Sequence, residues 1–155
     1  MPTRILREDL DRNEVAYRIL PHTPAFTASE VAAAAHVGGK HVVKTVMVKL
    51  DGKLAMLAVP SNRRVDIEAV RETTGAKVVE LAREDEFRDL FPGCETGAMP
   101  PFGNLYGVQV YVAPELAREP LIAFNAGTHS ELMELSYDDF EQLVRPRVLV
   151  EALTT

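Results

Sequence analysis

Residues 41–50 read HVVKTVMVKL, from His41 to Leu50. Seven of these ten residues are aliphatic or β-branched, which favours a pleated, half-buried strand. Successive side chains of a strand point to opposite faces. One face therefore carries Val42, Lys44, Val46, Val48 and Leu50, and the other His41, Val43, Thr45, Met47 and Lys49. Lys44 is the only polar residue on an otherwise aliphatic face. An ammonium left unpaired among aliphatic side chains is costly. Either a carboxylate or carbonyl meets it, or the face opens into a ligand pocket. The plainer reading is a lysine whose stem packs while its head reaches water.

Working outward, Asp51-Gly52 is a two-residue hairpin signal, and Leu54 to Val59 returns antiparallel to the first strand. Pro60-Ser61-Asn62 breaks the sheet. Asp66 to Thr74 reads as a helix ended by Gly75, Lys77 to Leu81 as a short strand, and Glu84 to Leu90 as helical. Upstream, Thr3 to Asn13 reads as a helix capped by Thr3, with Leu6 and Leu10 on one face. Val15 to Leu20 reads as a strand, and Pro21 to Pro24 as a loop. Thr27 to Glu30 forms a capping box ahead of an alanine-rich helix that Gly38-Gly39 ends.

Downstream, Gly93 to Gly107 (GCETGAMPPFGNLYG) is long for a loop and too apolar to be freely solvated, so it is read as an ordered loop lining a site. Val108 to Val112 reads as a strand and Pro114 to Arg118 as a turn or helical step. Leu121 to Phe124 and Glu131 to Ser136 read as strands around the Asn125 to His129 turn. Ser136 caps a last helix through Leu143, and Val148 and Val150 add a final strand. Strands outnumber helices, and several are joined by hairpins. The pattern predicts an α+β (mixed α/β) fold with a mainly antiparallel, barrel-like sheet surrounded by helices, as one domain over residues 1–155.

Composition narrows the function. Hydrophobic residues make up 46% and charged residues 26%, ordinary for a globular chain. No apolar run is long enough to span a bilayer, and the charged start MPTRILREDLDRNE lacks the apolar core of a signal peptide. A single cysteine, Cys94, excludes an internal disulfide framework. A cytoplasmic protein without a membrane partner is the expectation. The net charge of −6 argues against sequence-blind coating of nucleic acid, although Lys40, His41, Lys49, Lys53, Arg63 and Arg64 lie close enough in sequence to form a local basic patch.

Strong catalytic or metal motifs are few. Cys94 has no arranged partner, and the plainer reading is a weakly reactive loop thiol. His22, His36, His41 and His129 show no metal-ligand spacing. Three segments remain: the Lys44 strand, the Gly97 to Gly103 loop and the Asn125 to His129 turn. Each also has a structural reading, as a rigid Pro-Pro connector or as a hairpin whose glycine supplies positive φ.

Taken together these segments resemble the YbaK/ProX family, which includes the editing domain inserted in bacterial prolyl-tRNA synthetase and its free-standing relatives. The resemblance runs over roughly Val15 to Leu143. It rests on Lys44 in HVVKTVMVK, on the Gly-x-x-x-Pro loop Gly97-Ala98-Met99-Pro100-Pro101 followed by Phe102-Gly103, on Phe124-Asn125-Ala126-Gly127-Thr128-His129, and on His22-Thr23-Pro24-Ala25. It implies an aminoacyl-tRNA deacylase acting in trans on a mischarged tRNA, whose acceptor end it holds, with no cofactor, no metal and no Ser or Cys nucleophile. An aminoacyl-tRNA synthetase is a further implied partner.

The resemblance also implies roles. Lys44 would position the terminal adenosine or the ester carbonyl, and water would attack with help from the substrate's own ribose hydroxyl. His22, Thr45, Gly97, Pro100, Pro101, Phe102, Gly103, Asn125, Gly127, Thr128 and His129 would form the substrate site. A cation and fixed N–H groups can stabilise an oxyanion without covalent catalysis. Ala, Ser, Thr and Cys stay open as the amino acid. A binding-only module for tRNA, an aminoacyl end or a nucleotide, and a hydrolase of other small esters or thioesters, stay open as rivals.

Overall fold

The hairpin at Asp51-Gly52 is the centre of the sheet. Both turn residues take positive φ, 50° at Asp51 and 88° at Gly52, and the ladder closes directly beneath them with Leu50 opposite Lys53. This backbone matches the right-handed twist of the strands it joins. The Asp51 carboxylate also accepts the N–H groups of Lys77 and Val78 at 3.0 and 2.8 Å, so the turn organises the following segment as well.

The computed structural model describes residues 4–21, 41–95 and 97–150. Thr3, His22, the capping box at Thr27, the alanine-rich helix and Gly38-Gly39-Lys40 lie outside the described residues. The elements are α1 (Arg4–Arg12), β1 (Arg18–Pro21), β2 (Val42–Leu50), β3 (Lys53–Pro60), α2 (Ile67–Thr74), β4 (Val79–Leu81), α3 (Glu84–Phe87), β5 (Val110–Val112), α4 (Pro114–Ala117), β6 (Leu121–Asn125), β7 (Glu131–Ser136), α5 (Tyr137–Val144) and β8 (Arg147–Val148). Single 3₁₀ turns cover Arg88–Leu90 and Gly103–Tyr106.

The eight strands form one mixed sheet in the order β1-β7-β6-β2-β3-β5-β8, with β4 also paired to β2. The expected hairpin pairs β2–β3 and β6–β7 are antiparallel, as are β1–β7 and β2–β4. The pairs β2–β6, β3–β5 and β5–β8 are parallel. They join strands far apart in sequence, for which no local turn signal exists.

Both faces of the central strands are buried. On one, Val43, Met47, Met56, Val110, Phe124 and Met133 meet Leu6 and Leu10 of α1 and Phe140 of α5. Phe102 sits in this core with its ring centroid 5.5 Å from those of both Phe124 and Phe140. On the other face, Val48, Ala55, Leu57, Val59 and Tyr111 pack with Val70 of α2 and with Leu149. The helix ends follow their side chains. The Asp66 carboxylate accepts the Ala69 N–H at 3.0 Å, Gly75 closes α2 at φ 74°, and the Ser136 hydroxyl accepts the Asp139 N–H at 3.1 Å.

Candidate active site

Lys44 enters the site from the β2–β3 hairpin. It pairs with Val59 and shares the face of Val46, Val48 and Leu50, as alternation requires. It is half-buried, and among the described residues no carboxylate forms an ion pair with it. Two neighbouring basic side chains are engaged: Lys49 pairs with Glu86 at 2.9 Å, and His41 Nδ1 lies 3.1 Å from the Glu119 carboxylate. Thr45 leaves β2 on the opposite face, level with Ala58 of the main core, so Lys44 and Thr45 address different sides of the sheet.

The parallel pairing of β2 with β6 brings the second segment alongside. Val42 is level with Ala123 and Val43 with Phe124, and the ladder ends there, with Lys44 and Asn125 the next residues of their strands. Asn125 is half-buried at the end of β6. Its Oδ1 is buried with no hydrogen-bond partner among the described residues. Buried amide oxygens are normally satisfied. An acceptor held out of water in this way is suited to a ligand donor.

The two glycine segments are joined by backbone. The Glu95 N–H donates to the Gly127 carbonyl at 2.7 Å, and the Gly127 N–H donates to the Ala98 carbonyl at 2.9 Å. Gly97 takes φ 84° and Gly127 takes φ 111°, conformations that L side chains rarely adopt. A Cβ on Gly97 would lie 3.5 Å from His129 Cε1, so the loop passes directly over the histidine ring. His129 is 6% exposed, and its N–H donates to the Glu95 carboxylate at 3.4 Å. Thr128 between them is half-buried.

Several expected site residues have packing tasks. Phe102 is fully buried in the aromatic core, and Pro100 and Pro101 are buried in the loop leading into it. A Cβ on Gly103 would meet the Val108 carbonyl at 2.7 Å, so glycine is required there by close backbone approach. These residues hold the loop from beneath. The Gly127 N–H, engaged with Ala98, is likewise a structural donor. Glu95 was not legible as a site residue, since a lone acid in a polar loop carries no motif; only its bonds to Gly127 and His129 reveal it.

Burial raises the Cys94 thiol above its ordinary pKa, against a smaller opposing effect of a hydrogen bond with Tyr106. The thiol stays protonated near neutrality and is a poor nucleophile. Among the described residues no group of three His, Cys, Asp or Glu side chains could hold a metal ion. Among the same residues no helix is long and apolar enough to cross a membrane.

The structure thus holds a half-buried lysine on an aliphatic strand face and two glycine turns laced to each other through backbone. The chain belongs to the aminoacyl-tRNA editing domain family, whose model matches residues 22–143. It is thereby an aminoacyl-tRNA deacylase, a hydrolase, and the YbaK/ProX resemblance holds. The prolyl-tRNA editing protein ProX of Acetoanaerobium sticklandii is 24% identical over 142 residues, covering 88% of this chain and 86% of that protein. A proline–tRNA ligase of Bacillus mycoides is 34% identical over 81 residues, 52% of this chain; the match spans only 14% of the ligase.

Among solved structures, the hypothetical protein APE2540 superposes with a TM-score of 0.82 at 24% identity, covering 94% of this chain and 97% of that one. A structure provisionally described as a trans-editing enzyme for prolyl tRNA synthetase superposes with a TM-score of 0.78 at 21% identity, covering 96% of each chain. Both likenesses establish the fold.

Proposed function

We propose that this chain, working as a single domain, acts in trans on tRNA charged with a small wrong amino acid (Ala, Ser, Thr or Cys), with Lys44 as the catalytic cation. The observation that carries this reading is Lys44 itself: half-buried on an aliphatic face, without a carboxylate partner among the described residues, and next in its strand after the last β2–β6 pair. Water adds to the ester carbonyl carbon, and negative charge develops on the carbonyl oxygen. The C–O bond to the ribose then breaks, the ribose oxygen takes a proton, and free amino acid and tRNA leave. A fixed ammonium beside Val46, Val48 and Val59 stabilises the oxyanion more strongly than it would in bulk water.

The rest of the site divides into contact and support. Asn125, Thr128 and His129 are assigned to substrate contact, with Gly97 and Gly127 shaping the wall. Pro100, Pro101, Phe102 and Gly103 support that wall from the core. Thr45, on the opposite sheet face, is assigned no contact with the ester. Selection works by size, since a methylene is worth only about 1–3 kcal/mol in an apolar pocket. The relatives named for prolyl-tRNA make tRNA for proline the first candidate, and a prolyl-tRNA synthetase the first candidate partner.

A deacylation panel over Ala-, Ser-, Cys- and Thr-charged tRNA tests this. The expected result is amino acid release from at least one, and a loss of about 10²–10³-fold in Lys44→Ala, the scale of losing one oxyanion-stabilising group. Unchanged rates in that variant would remove Lys44 from the mechanism.

A further inference from the structure

The sheet face that carries Lys44 runs on into a cavity of about 430 Å³ between the end of β3, the start of α2 and the segment after β8. Val59, the β3 residue paired with Lys44, lines it together with Val65, Pro114 and Leu149. Directly opposed residues on one face stand about 5 Å apart at Cβ, so Val59 links the lysine's strand position to the cavity wall. Arg63 and Arg64 form part of its wall and are exposed. A turn in which the Arg63 N–H donates to the Pro60 carbonyl at 3.1 Å fixes them at the strand end.

The charges around this cavity are unequal in availability. Asp66 is turned to the helix as its cap, and Glu68 is paired with Arg71. Glu115 is the remaining acid of the lining. Neither arginine has a carboxylate partner among the described residues. In a chain of net charge −6, two adjacent available guanidiniums beside an apolar hollow mark where a polyanion can approach. Alternation of phosphate and flat base is the chemistry of single-stranded nucleic acid, which binds through cations and base contacts together.

We propose that this cavity and the Arg63–Arg64 pair receive the single-stranded acceptor end of tRNA next to the aminoacylated nucleotide. One base enters against Val59, Val65 and Leu149, and the flanking phosphates lie on the two guanidiniums. The assignment rests on the reading of Lys44 as the residue that meets the ester, and it gives the acceptor end its direction across the sheet.

The test separates binding from chemistry. Binding of uncharged tRNA is measured against salt for the wild type, Arg63→Ala/Arg64→Ala and Arg63→Lys/Arg64→Lys, beside hydrolysis of charged tRNA and of an aminoacyl ester of adenosine, which has no phosphates. The double alanine variant should bind tRNA roughly tenfold more weakly, with a slope of log K against log salt smaller by about 1.4, two single-strand phosphate contacts. KM for charged tRNA should rise with kcat kept, the adenosine ester should be cleaved as by the wild type, and the lysine variant should keep most of the slope. Unchanged affinity and slope in the double alanine variant, or a wild type that does not bind tRNA, would overturn the proposal. A wild type that binds tRNA with the predicted slope change but cleaves neither ester would instead sink the catalytic reading of Lys44 and leave this surface standing.

Discussion

Gly127 is held between two residues of one loop: it accepts the Glu95 N–H at 2.7 Å through its carbonyl and donates its own N–H to Ala98 at 2.9 Å. This pairing makes the turn after β6 and the loop before Phe102 a single rigid wall. A wall built from backbone can be narrow, because no side chain intervenes.

The φ of 111° at Gly127 makes the first prediction. Gly127→Ala forces an L residue into a sparsely populated region, at a cost of about 1–3 kcal/mol. The expected outcome is a lower thermal midpoint together with lost deacylation. A variant as stable and as active as the wild type would show that the pairing does not shape the site.

Removing Lys44 should separate stability from activity. Lys44→Met keeps the stem and discards a half-buried charge that has no carboxylate partner among the described residues. Stability against denaturant should be unchanged or higher, since burying an unpaired charge is costly, while deacylation falls as in Lys44→Ala. A strongly destabilised Lys44→Met would mean that the ammonium holds the fold together.

Phe102 should act at a distance. Its ring is fully buried against Phe124 and Phe140, and Phe102→Ala should cost about 3–5 kcal/mol in unfolding free energy. Because the Gly97 loop leads into that ring, Phe102→Leu, which retains most of the fill, should lose more activity than stability. Equal losses in both would make Phe102 a core residue alone.

Two carboxylates set an acid-side dependence. Asp51 is held below its ordinary pKa chiefly by the N–H of Val78 and then that of Lys77. Glu86 is held low chiefly by the N–H of Arg83 and then by Lys49. A carboxyl whose folded pKa lies below its unfolded one contributes stability above the unfolded value and loses it as pH falls through the folded value. Stability should therefore decline as pH drops from the ordinary carboxylate range downward. Asp51→Asn should lower stability on the neutral side and thereby flatten part of that decline, converging with the wild type at low pH, as read from denaturation midpoints across pH.

Much of this molecule was legible along the chain. The β2–β3 hairpin follows from alternation and from Asp51-Gly52, and the ends of α2 and α5 follow from Asp66, Gly75 and Ser136. Smaller boundaries moved. The strand expected from Val108 begins at Val110, because Val108 instead bonds back to Gly103, and the helix expected to Leu90 tightens into a 3₁₀ turn after Phe87.

What the chain alone determined was Lys44 as the odd residue on an aliphatic strand face, and the two glycine segments as turns. These are properties of neighbours, set by strand periodicity and by which residues tolerate positive φ. What only the tertiary structure decided was how distant segments meet: β2 beside β6 through a parallel pairing across some eighty positions, Glu95 and Ala98 lacing their loop to Gly127, and Val59, the strand partner of Lys44, lining a cavity. Such contacts arise from packing of distant segments around a shared core, and no local preference encodes which distant partner wins.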